Sequence, residues 1–133
     1  RDSNYYVVPY LKTILPIYAY NKAANPRVFL NLSQGEKELG RLEFELYQDK
    51  APKTVANFKA LISGENEIGK SYKGTPFHRI IDGFCLDGDI CYGDGTGGKS
   101  AEGGRFEDEN LSIKHDKRGL LTMTNTGPHS NKS

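Results

Sequence analysis

Two short runs of strict alternation, separated by a four-residue turn, constrain this chain more than any other feature. Val28, Leu30 and Leu32 alternate with Phe29, Asn31 and Ser33, and Leu42, Phe44 and Leu46 alternate with Arg41, Glu43 and Glu45. A period of two sends successive side chains to opposite faces of a strand. Each run therefore has one apolar face, and the second has one wet face. Gln34-Gly35-Glu36-Lys37 between them is turn chemistry. Together they predict an antiparallel hairpin beginning just after Pro26.

The next signal has a different period. Val55, Phe58, Leu61 and Ile62 follow Pro52 as a core-facing helical stripe. Proline suits the first helical position, where its missing N–H would be unpaired in any case. Gly64 is placed to end the helix. Beyond it the chain is punctuated by glycine, with short apolar runs at Phe77 to Ile81 and Leu120 to Thr124 between long loops. Short strands and few helices predict a mainly β barrel or sandwich. No internal repeat is visible.

Composition narrows the function. The 133 residues carry 18 Lys or Arg against 17 Asp or Glu, a formal net charge of +1. A nucleic-acid binder would show a one-sided basic surface, so no nucleic-acid partner is expected. Cys85 and Cys91 are too few for a disulfide framework and lack zinc-ligand spacing. Reduced thiols in an intracellular, cytoplasmic protein are the expectation. Asn31, Asn110 and Asn131 each open an acceptor pattern for N-glycosylation, and without a secretory signal the three are read as chance.

Residues 1–24 differ from the rest. From Tyr5 to Tyr20, 12 of 16 residues are apolar or Tyr, the only charge is Lys12, and Pro9 and Pro16 interrupt any helix. The stretch has neither the basic start nor the unbroken apolar core of a signal peptide. No run approaches the ~18 apolar residues of a transmembrane helix. The expectation is an extended, Tyr-rich arm ahead of a domain at 25–133, with residues 5–20 contacting a protein partner.

One motif misleads. Gly93-Asp94-Gly95-Thr96-Gly97-Gly98-Lys99-Ser100 fits the phosphate-loop pattern G-x-x-x-x-G-K-S letter for letter. That chemistry needs a helix beginning at the lysine, whose N-terminus faces the phosphate. Gly103-Gly104 follows within four residues of Ser100, and glycine is poor helix material. The segment is read as a loop.

Other segments carry a resemblance. Asn25-Pro-Arg-Val-Phe-Leu, Gly40-Arg-Leu-Glu-Phe-Glu-Leu, Ala51-Pro-Lys-Thr-Val-Ala-Asn-Phe, Tyr72-Lys-Gly-Thr-Pro-Phe-His-Arg-Ile-Ile, Gly95-Thr-Gly-Gly, Phe106-Glu-Asp-Glu-Asn and Gly119-Leu-Leu-Thr-Met-Thr-Asn all resemble the cyclophilins. The resemblance runs in order over residues 25–133. It implies a closed eight-stranded antiparallel barrel with two capping helices, incomplete here at the C-terminus. It also implies peptidyl-prolyl cis–trans isomerase activity on proline-containing peptides or proteins, assisting folding or assembly, with no metal or cofactor.

By that resemblance Arg79 is the catalytic cation at the prolyl nitrogen and Phe84 a wall of the proline pocket. His78, Ile81, Gly95, Thr124, Asn125 and Thr126 match other positions around the substrate groove, with Asn125 holding substrate through its backbone. Taken alone, each has a plainer reading: Arg79 as a surface or paired arginine, Phe84 as a core ring, His78 as a satisfied structural histidine.

The chain also departs from the family pattern. Cys85 stands where the family usually has methionine, and Asp87 where it has a site glutamine. The run Cys85-Leu86-Asp87-Gly88-Asp89 is one glycine short, and Thr124 and Thr126 stand where alanine is frequent. A carboxylate at Asp87 is expected to pair with Arg79 and compete for its donors. The sequence ends at Ser133, before the family's second helix and closing strands, so it reads as part of a longer chain. The alternative to an active isomerase is a weakly active or inactive cyclophilin-fold binding subunit of a larger assembly.

Overall fold

A computed structural model describes residues 25–133. The expected arm, with its contact segment at 5–20, lies outside the described residues. Four strands and one helix follow in the order β1 (Arg27–Gln34), β2 (Lys37–Glu45), α1 (Pro52–Ser63), β3 (Phe77–Ile81) and β4 (Cys85–Gly88).

β1 and β2 form the expected antiparallel hairpin. Val28 pairs with Phe44 and Leu30 with Leu42, so the two apolar faces coincide, as opposite residues of an antiparallel pair must. Gly35, at φ 60°, makes the turn between the paired Gln34 and Lys37. One residue is extra: Leu32 faces Gly40 and Ser33 faces Glu38, leaving Leu39 as a bulge. On the wet face the Arg41 guanidinium lies 4.0 Å above the Phe29 ring, and Arg27 pairs with Glu43 at 2.9 Å.

Helix α1 ties two small cores together. Its first half supplies Val55 to a cluster with Leu42, Phe44 and Leu46, against which Val28, Leu30, Leu32 and Phe58 pack. Its second half supplies Leu61 to a cluster with Ile90 and Ala101. Gly64, left-handed at φ 81°, closes the helix and donates to the Ala60 carbonyl at 3.0 Å. The other end has no local side-chain cap at Ala51. Glu109 fills that role from a distant loop, accepting the N–H of Thr54 at 2.5 Å and of Lys53 at 3.0 Å. These N–H groups are orphan donors in any helix, and a carboxylate there also complements the helix dipole.

Asn57 completes the frame. Although only 8% exposed, its side chain accepts the Ala101 N–H at 2.7 Å and donates to the Lys132 carbonyl at 2.8 Å. A polar group so buried must find partners, and these two join α1 to both later loops.

The closed barrel implied by the resemblance is not formed among the described residues. β1–β2 and β3–β4 are separate two-stranded sheets, and α1 is the one helix described. Leu120 to Thr124 forms no strand. An apolar run becomes a strand only where a neighbouring edge takes its N–H and C=O groups, and neither described hairpin pairs with this one.

Candidate active site

The β3–β4 hairpin organises the candidate site through a one-residue irregularity. Phe77 faces Gly88 while Arg79 faces Asp87, so His78 is the extra residue of a bulge. A bulge re-aims the side chains beyond it. Phe77 and Ile80 both line a broad apolar cavity shared with Phe44, Val55 and Phe58. Directly paired residues share a face of the ladder: Arg79 with Asp87, and Ile81 with Cys85.

Arg79 is already engaged. Its Nη1 donates to Asp87 Oδ2 at 3.0 Å. The guanidinium side chain is 53% exposed and the carboxylate side chain only 16%. The expected pairing of these residues is thus present, through a single nitrogen of a guanidinium that remains half-exposed. Asp82-Gly83-Phe84 connects the strands, with Gly83 at φ 74° and the Phe84 N–H bonded to the Ile81 carbonyl at 3.1 Å. Phe84 stands 69% exposed at this tip.

The loop from 89 to 100 packs behind His78. Asp89, 5% exposed, accepts four backbone N–H groups: Cys91 at 2.9 Å, Tyr92 at 3.0 Å, Gly93 at 3.1 Å and Gly95 at 2.5 Å. Burial pushes its carboxyl pKa up, but the four donors outweigh burial and hold it down at about 2. Gly95, at φ 86°, comes so close to the imidazole that a Cβ there would lie 2.7 Å from His78 Nε2. No helix begins at Lys99; Ser100 and Gly104 instead close a turn. The segment that imitates a phosphate loop is a loop folded around the chain's own carboxylate.

Thr124, Asn125 and Thr126 lie in a segment held by Asn131. Asn125 donates to the Asn131 side-chain oxygen at 3.2 Å, and the Thr126 N–H donates to Ser130 Oγ at 3.0 Å. Asn131 is itself buried, donating to Asp108 at 2.7 Å and to the Phe106 carbonyl. The side-chain amide of this residue, which opens one of the three acceptor patterns, is thus engaged within the fold.

Residues 29–133 match the family model for the cyclophilin type peptidyl-prolyl cis-trans isomerase/CLD. The chain belongs to the cyclophilin family. The match covers most of the sequence: all but the first two residues of the β1–β2 hairpin, the helix, the β3–β4 hairpin and every residue singled out for the site.

Within this cyclophilin the expected site residues fall into distinct groups. Arg79, Ile81, Cys85 and Asp87 share the ladder face, and Phe84 stands exposed in the turn that joins its strands. His78 and Gly95 touch each other beside that face. Thr124, Asn125 and Asp87 border the cavity, whose lining does not include Arg79, His78, Phe84 or Gly95. Among the described residues no group of three or more His, Cys, Asp or Glu could hold a metal ion, and no helix is long and apolar enough to cross a membrane.

Asp89, Asn57 and Glu109 were not singled out by sequence reasoning. Asp89 alone offered a local signal: an aspartate followed by a glycine-rich run bonds its own backbone a few residues on. Asn57 and Glu109 gave none, because their partners are tens of residues away.

Proposed function

We propose that this cyclophilin isomerises X–Pro bonds in peptide or protein substrates, with Arg79 as the catalytic cation. The reaction crosses a barrier of ~18–20 kcal/mol set by amide resonance and takes tens to hundreds of seconds unaided. A cation or donor at the prolyl nitrogen draws its lone pair out of resonance, and an apolar slot holds the ring. Neither step calls for a nucleophile, metal or cofactor. The observation that carries the reading is the half-exposed Arg79 guanidinium, placed on a ladder face with Ile81 and Cys85, whose strands are joined by the turn that exposes Phe84.

In this reading Phe84 walls the proline ring. His78, Ile81, Cys85, Asp87, Gly95, Thr124, Asn125 and Thr126 border the bound peptide, within a catalytic domain at 25–133. Its service is to the folding or assembly of proline-containing proteins. The Arg79–Asp87 pair favours a second reading beside the first, a weakly active subunit that binds more than it turns over. A protease-coupled assay with an Ala-Ala-Pro-Phe anilide separates them: the first requires acceleration over the uncatalysed rate, and a rate equal to that background leaves only the second.

A further inference from the structure

We propose that Asp87 makes this site selective for prolines flanked by a basic residue, with a substrate Lys or Arg replacing Arg79 as the counterion of the carboxylate. The inference rests on the isomerase reading above and deepens it.

The geometry is asymmetric. Asp87 is fixed at a ladder position opposite Arg79, and its side chain is only 16% exposed. Arg79 is the longer, more exposed partner, joined by one contact at 3.0 Å. When the guanidinium turns toward a prolyl nitrogen, Asp87 stays behind. A sheltered carboxylate that loses its partner carries an uncompensated charge, which is costly. The bound peptide can remove that cost. An ammonium or guanidinium within two residues of the proline reaches the carboxylate as Arg79 leaves it, and the exchange keeps one cation on Asp87 throughout. An acidic residue in the same place does the opposite, since it meets Asp87 as a like charge and draws Arg79 away from the prolyl nitrogen. Like-charge juxtaposition of this kind is an ordinary source of specificity. Ile81 and Cys85, paired on the same face, leave the rest of that surface largely apolar, so charge discrimination falls on Asp87.

The test uses the 133-residue chain and Ala-X-Pro-Phe peptides with X as Lys, Ala or Glu. Isomerisation is read by NMR exchange and affinity by chemical-shift titration. The wild type should favour Lys over Glu by about tenfold in kcat/KM and in Kd, and the preference should shrink as salt screens the charges. Asp87→Asn should bring both ratios close to one, with Asp87→Gln as the second variant if circular dichroism shows the first unfolded. A Lys-over-Glu ratio that survives both substitutions overturns the proposal, as does equal binding of the two peptides by wild type or binding of neither. Failure of the isomerase reading looks different. The wild type would then turn over none of the peptides, while a Kd preference abolished by Asp87→Asn would still assign the selectivity to this carboxylate.

Discussion

The carboxylate of Asp89 accepts the N–H of Gly95 at 2.5 Å and so holds that glycine against His78, where a Cβ would stand 2.7 Å from Nε2. A residue with no assigned chemistry thereby positions one that borders the candidate site. Strand β3 then carries the constraint one residue further, to Arg79.

The first prediction concerns acid stability. Asp89 titrates near 2 in the fold against an ordinary 3.8. A carboxyl lowered on folding contributes stability above its unfolded pKa and loses it as pH falls toward the folded value. That contribution is about 2 kcal/mol at neutral pH. Urea unfolding should therefore weaken between about pH 4 and pH 2, and Asp89→Asn should remove much of that slope. Parallel pH profiles for the two proteins would contradict the assignment.

Arg79→Ala should lower kcat/KM by roughly tenfold or more, about 1.4 kcal/mol of barrier, while circular dichroism stays unchanged. The side chain is half-exposed and pairs with Asp87 on the same exposed ladder face, so its removal leaves the cores alone. A variant as fast as wild type would remove Arg79 from the mechanism.

Asp87→Gln should raise the rate toward uncharged substrates. The carboxylate holds the guanidinium by a charge-assisted bond, stronger than the neutral one an amide can make. A gain of about threefold to tenfold in kcat/KM is expected, matching a weakening of roughly 1 kcal/mol in the contact. An unchanged or lower rate would show that the pair does not restrain Arg79.

Asn57→Ala should destabilise the fold by about 2–4 kcal/mol, because it strands two backbone groups in a buried place. The Ala101 N–H and the Lys132 carbonyl both lose their partner. The urea midpoint reads this directly. A shift under about 0.5 kcal/mol, the size of an ordinary surface change, would mean that the bridge does not join the loops to the helix.

The last prediction falls on the arm. Tyr5 to Tyr20 carries Lys12 as its only charge, a composition that suits a contact surface. On the proposed readings, in which the domain is an isomerase and this segment contacts a protein partner, deleting residues 1–22 should leave isomerase activity intact and release the protein from that partner. Co-purification of the truncated protein with unchanged partners and stoichiometry would show that the arm is not the anchor.

What the sequence made legible follows from how local each signal is. The β1–β2 hairpin could be read because alternation and the Gly35 turn are both local, and α1 because Pro52, the apolar stripe and Gly64 lie within one segment. The His78 bulge escaped notice, since one extra residue shifts the faces of a strand without changing its composition. Glu109 capping α1 and Asn57 bridging to Ala101 and Lys132 are products of tertiary packing. The Arg79–Asp87 pair was foreseen from charge alone once the family resemblance had placed both residues. Barrel closure depends on strand edges meeting across the whole domain, which no single segment encodes.

The loop around Asp89 also bears on what a pattern of letters can mean. A ring of backbone donors attracts an anion whatever molecule supplies it, and here the donors of Gly93 and Gly95 already face one. The host is its own guest. The resemblance to a nucleotide-binding sequence marks a shared demand for glycine, where main chain must bend tightly around negative charge, with the visitor replaced by a residue of the same polypeptide.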